Sequence, residues 1–223
     1  MFSCCQLQRN NKLIFDSYNE CELIIESQVL FSKFVSEMHM QITGKEGKFV
    51  LSDNEKELEI DKVMEMIINP FSINLNDKKI LGKLYSELST LAMQEDMYMN
   101  TIELFNKIRS FITDIEQKSS YILETDSDFN IVNLFKAFGV QIESCNQNFF
   151  ETVCQYMKVI SQILCKKIFA FVNLRSYITD EQAELLIKEA RYNEVNVLFI
   201  ENIQRSCLNG CQQYIIDSDY CEI

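Results

Sequence analysis

From Thr152 to Thr179 the sequence has no aspartate or glutamate, yet it holds Lys158, Lys166, Lys167 and Arg175. In a chain of 223 residues with a formal net charge of −12, that gap is the most informative charge feature. Ammonium and guanidinium groups neutralise phosphate oxygens, so the run reads as a basic strip facing a polyanion. It reads equally as a core element whose few polar positions happen to be basic. Glu124-Thr125-Asp126-Ser127-Asp128 offers the opposite chemistry. Oxygen ligands on alternate residues of a turn suit Ca²⁺, which takes six to eight of them. The glycine and closing glutamate of an EF-hand are missing, so the other reading is a loop in which Asp128 caps the next helix.

The remaining reactive groups form no catalytic set. Gly44-Lys45 lacks the spacing of a phosphate loop and the hydroxyl that holds Mg²⁺, and the preceding segment, Phe34 to Gln41, reads as helix rather than strand. The single histidine, His39, falls at the end of an ordinary amphipathic helix and reads as structural or surface. Of the nine cysteines, none stands in a Cys-x-x-Cys pair. An odd number, several inside apolar runs such as those of Cys154 and Cys165, reads as reduced core thiols. No apolar run reaches the ~18–20 residues of a membrane span. The start, Met1 to Gln6, lacks a signal peptide's basic and apolar regions, so a cytoplasmic location is expected. The negative charge argues against indiscriminate adhesion to nucleic acid, although charge can be segregated by face.

These residues need a scaffold, and the stretch Lys166 to Glu201 supplies its centre. Ile168 to Asn173 is an apolar strand; Thr179 or Asp180 caps an amphipathic helix running to Arg191; Val195 to Glu201 is a second apolar strand. Almost continuous apolar runs are expected of parallel strands buried on both faces. Upstream, Lys12 to Phe15 and Cys21 to Glu26 read as a pair of strands, and Ser27 caps a helix with Val29, Leu30, Phe34, Val35 and Met38 on one face. Phe49 to Leu51 reads as a strand, and Val63 to Ile68, whose pattern fits strand or helix, is read as strand. One proline and five glycines leave long helices uninterrupted. The longest apolar stripe runs from Ile80 through Leu91, Ile102, Phe105 and Ile112 to Ile115, with a phase drift near Gln94-Glu95-Asp96. A continuous helix of roughly 40 residues would reach about 60 Å and project as an arm. Val140 to Glu143 is expected to return the chain to the sheet, Phe149 to Leu164 to form a further helix, and Gln213 to Ile216 a last strand.

Several of these segments, in order, resemble the Csn-two family, accessory proteins of type II-A CRISPR systems that act in spacer acquisition. They include Phe31-Ser32-Lys33-Phe34-Val35, Ile67-Ile68-x-x-Phe71-x-Ile73-Asn74, and Phe138-Gly139-Val140-Gln141-Ile142-Glu143. Phe171-Val172-Asn173, Val197-Leu198-Phe199-Ile200-Glu201 and Gln213-Tyr214-Ile215-Ile216-Asp217 complete the set. The resemblance implies an α/β fold: a head similar to ABC/SMC-type ATPase heads, with the nucleotide site lost and an extended α-helical arm inserted. The head would comprise 1–75 and 138–223, the arm 76–137. It implies a non-enzymatic homotetrameric ring around double-stranded DNA, lined by Lys158, Lys166, Lys167 and Arg175. It further implies calcium near the junction of head and arm, for which Glu124, Asp126 and Asp128 are the acids at hand. Partners would be the integrase and the type II-A effector nuclease of the same system. Two other functions remain at this point. One is a degenerate ABC-type hydrolase with Glu201 at the position of a catalytic carboxylate; the other is a helical adaptor that binds no DNA.

Overall fold

The computed structural model describes residues 5–7, 11–13, 20–53, 56–125, 130–144 and 148–219. The chain divides into two units, Met1–Leu75 with Ser144–Ile223, and Asn76–Glu143.

The first unit is built on a five-stranded parallel sheet. Its strands, numbered in chain order with those described below, are β3 (Glu20–Ile25), β6 (Met64–Ile67), β7 (Ile168–Val172), β8 (Asn196–Glu201) and β9 (Cys211–Ile216), in the spatial order β6-β7-β8-β3-β9. Each adjoining pair is parallel. The continuous apolar runs predicted for β7 and β8 are met: Phe169, Phe171 and Phe199 are completely buried. Burying a side chain of this kind contributes about 1.5–3 kcal/mol.

Alternation in the strands divides the core. Cys21, Leu23, Ile25, Ile168, Ala170, Val172, Leu198 and Ile200 pack with Phe34 and Met38 of α1 (Gln28–Ile42). Ser27 caps α1, as expected. The alternate residues, Phe169, Phe171, Val197 and Phe199, point to the opposite face, the side of α7 (Asp180–Tyr192) and its neighbour α6 (Phe149–Ile163). Thr179, rather than Asp180, caps α7 through a reciprocal capping box with Gln182.

A second, antiparallel sheet of four strands has the order β2-β1-β4-β5, with β1 Cys5–Leu7, β2 Asn11–Leu13, β4 Val50–Asp53 and β5 Lys56–Leu58. The segment at Lys12 and the one at Cys21 are therefore strands, but of different sheets. β2 pairs with β1 and β3 with β8 and β9. The helical turn α2 (Ile60–Val63) leads from β5 into β6. The side-chain amide of Gln41 holds the chain's entry to β4, donating to Phe49 O (2.7 Å) and accepting from Phe49 N (3.0 Å).

The second unit is helical: α3 (Lys78–Ala92), α4 (Glu95–Lys118) and α5 (Ile131–Ala137). The periodic stripe is not one helix. It breaks at Met93 and Gln94, where the phase drifts, and Gln94 adopts an extended conformation. α5 is capped by Asn130, whose side chain accepts from Asn133 N; Asp128 lies outside the described residues. Residues 140–143 are not a strand. Val140 N donates to the backbone carbonyl of Phe135, and other backbone groups of the segment bond to side chains of this unit. Asn76 pairs with both polar groups of Ile142 (3.0 and 2.8 Å), and Tyr85 Oη donates to Val140 O (2.9 Å).

Candidate nucleic-acid interface

The four basic residues of the acid-free run take three different environments. In α6, Val153, Met157, Ile160 and Ile163 are buried at helical spacing, and this turns Lys158 to solvent. After α6 the chain turns through Cys165, which has a left-handed φ of 55° and is exposed rather than a core thiol. Strand periodicity then separates the two lysines. Lys166 shares parity with Ile168, Ala170 and Val172, so it points into the α1-side core. It is 3% exposed, and its ammonium group donates to the carbonyls of Asp61 and of Met64, the latter at 2.9 Å. Lys167 has the opposite parity and is half-buried.

Arg175, in the turn after β7, is 3% exposed. Its guanidinium binds Glu22 Oε1 (2.5 Å), Asp180 Oδ1 (2.8 Å) and the carbonyl of Ser206 (2.9 Å). Burial works against its charge, but Asp180 and Glu22 outweigh it and hold the group above its ordinary value. Asp180 is held low by its bond from the Ser206 hydroxyl and by Arg175. Lys166 and Arg175 are thus placed in the interior, where they join elements of the first unit. Lys158 and Lys167 are the members of the strip that reach solvent.

Arg175 belongs to a polar junction at the carboxyl edge of the sheet. Its backbone N–H donates to Glu201 Oε1 at 3.1 Å. Burial pushes the Glu201 carboxyl up to about 7, against the Arg175 N–H bond and with the help of the Glu22 charge. Asn173, at φ 52°, accepts from Asn202 N and ties the turn after β7 to the end of β8. Sequence reading missed the buried carboxylates of β3. Glu20 accepts from Val197 N (2.6 Å) and Glu22 pairs with Arg175. The signal was present: glutamates at alternate positions of an apolar strand fall on one face.

The candidate acids for calcium are only partly visible. Glu124 is exposed, whereas Asp126 and Asp128 lie outside the described residues. Among the described residues no three His, Cys, Asp or Glu side chains converge on a metal position. No described helix is long and apolar enough to cross a membrane. His39 is exposed in the last turn of α1. Gly44 follows that helix, so Gly44-Lys45 lacks the strand that must precede a phosphate loop. Nor does one stand between β3 and α1: only Glu26 and Ser27 join them, and Glu26 N is bonded to Ile216 O.

The family model described as CRISPR-associated protein (Cas_Csn2) matches residues 41–220. CRISPR-associated protein Csn2 of Streptococcus agalactiae is 24% identical over 205 residues, covering 91% of this chain and 89% of the relative. CRISPR-associated protein Csn2 of Enterococcus faecalis is 26% identical over 183 residues, covering 75% and 80%. The match takes in both sheet edges, the helical unit and the whole basic run, and the chain therefore belongs to the Csn2 family of CRISPR-associated proteins.

Proposed function

We propose that this protein is a non-catalytic, sequence-independent binder of double-stranded DNA ends. In this reading it assembles as a homotetrameric ring and supports spacer acquisition in a type II-A CRISPR system. Family membership carries the CRISPR role. The observation that carries the mode of binding is that Lys158, exposed, and Lys167, half-buried, reach solvent from a segment without acids, in a chain of net charge −12. Phosphate contacts position a protein on DNA without reading sequence, which suits a factor handling arbitrary fragments. Acidic outer surfaces would focus attraction onto the basic ones. Lys166 and Arg175 support this interface by fixing the elements that carry it.

Assembly would proceed through α4, whose apolar residues Met99 and Phe111 are each 63% exposed. Calcium is proposed for the acidic segment of Glu124, Asp126 and Asp128, where it would neutralise clustered carboxylates. The integrase and effector nuclease of the same system are the proposed partners. The parallel sheet with Glu201 at the end of β8 also favours a second reading, a degenerate ABC-type ATPase head. The two-residue β3–α1 connection opposes nucleotide turnover, because it leaves no loop to cradle phosphates.

Retention of linear and covalently closed duplexes of equal length tests the main reading. A ring that loads at ends retains the linear duplex at least tenfold better. Equal, weak retention of both would end the proposal.

A further inference from the structure

Among the described residues, three buried side-chain atoms have no hydrogen-bond partner within the protein: Glu201 Oε2, Arg175 Nε and Arg205 Nε. They meet at one junction. Glu201 Oε1 takes the Arg175 N–H, and the charges of Arg175 and Arg205 both act on Glu201. Arg205 in turn donates to Ser176 Oγ, next in the chain to Arg175. Buried polar groups are almost always paired, so three unpaired ones in one place mark a part of the fold that gains hydration by opening. The segment above them, 202–210, contributes one of the three; Leu208 anchors it in the core, and the rest of it is held by polar contacts. Arg175 Nη2 binds the Ser206 carbonyl, the Ser206 hydroxyl binds Asp180 Oδ2, and Gln213 Nε2 donates to the Arg205 carbonyl.

We propose that 202–210 is a proton-linked latch: it stays closed over the junction while Glu201 is neutral, and ionisation of Glu201 releases it. The charged groups around Glu201 set the sense of the switch. Glu22 on β3 opposes a second negative charge, while Arg175 on the turn after β7 and Arg205 on the latch favour it; Asp180 on α7 already claims Arg175. Ionised Glu201 would have one backbone N–H on Oε1 and no protein donor on Oε2, whereas bulk water supplies donors freely once the latch opens. Burial holds the closed-state carboxyl at about 7, above its ordinary 4.5. Opening restores the ordinary value. Closure is therefore fully favoured below the ordinary value and weakens by about tenfold per pH unit until the closed-state value is passed.

Hydrogen exchange followed by mass spectrometry on the full chain, from pH 5.5 to pH 8, tests this. After correction for the intrinsic pH dependence of exchange, protection of 202–210 is expected to fall about tenfold or more and to level off above pH 7. Glu201→Gln is neutral throughout and keeps an acceptor for Arg175 N–H, so its latch should hold low-pH protection at every pH. Constant wild-type protection of 202–210 across this pH range, or a Glu201→Gln profile that falls like the wild type's, overturns the proposal. If Glu201→Gln does not fold, the wild-type profile alone decides. The outcome is independent of whether the protein binds DNA.

Discussion

Arg175 shows how differently a charge reads in sequence and in three dimensions. Along the chain it is one of four cations in an acid-free run; in space its guanidinium pairs with Glu22, 153 positions away. A buried ion pair contributes little relative to apolar packing, but removing one partner strands the other charge. Arg175→Ala should therefore cost about 3–5 kcal/mol of stability, by leaving the fully buried Glu22 carboxylate without its cation. Lys158→Ala, on an exposed position of α6, should stay within about 0.5 kcal/mol of wild type. Urea unfolding midpoints measure both, and equal stability of the two variants would refute the interior role. Sequence could show that these residues are basic. It could not show which of them face solvent, because the partners of Lys166 and Arg175 come from Asp61, Met64 and Glu22, all remote in the chain.

Elements with strong periodicity were legible at once. The runs of β7 and β8, the capped helix between them and α6 could be read because each has only one way to bury its apolar face. Short, half-exposed elements were not. β5 has three residues and no buried one, and residues 140–143 carry a strand-like pattern yet bond to Asn76 and Tyr85. The long stripe was read correctly as helical, and its phase drift marked the break at Gln94. α4 leaves much of its apolar content exposed. Its 24 residues include one buried side chain, Thr101, while Phe111 and Ile115 are 63% and 45% exposed. An amphipathic helix of about 36 Å with an open apolar face gains by packing against another helix. Phe111→Glu with Ile115→Glu should lower the solution mass measured by light scattering and leave helicity by circular dichroism unchanged. An unaltered mass would remove α4 from the assembly interface.

For the whole molecule the decisive quantity is where so few cations act in a chain of net charge −12. Dispersed over the surface, Lys158 and Lys167 would meet a repelled polyanion and bind almost nothing at physiological salt. Gathered from several copies around one duplex, the same two side chains per chain add up. Each neutralised phosphate releases counterions and steepens the log–log dependence of affinity on salt by about 0.9. Four copies supplying Lys158 and Lys167 give a slope of up to about −7 on linear duplex. Lys158→Gln with Lys167→Gln should bring that slope close to zero and weaken binding uniformly across DNA sequences. Both substitutions leave the interior cations of the head in place, so a fall in slope reports contact rather than unfolding, and an unchanged melting temperature checks that directly. A wild-type slope near zero would mean that no such gathering occurs, and with it the ring reading would fail. A steep slope that survives both substitutions would keep DNA binding but move the interface to other cations.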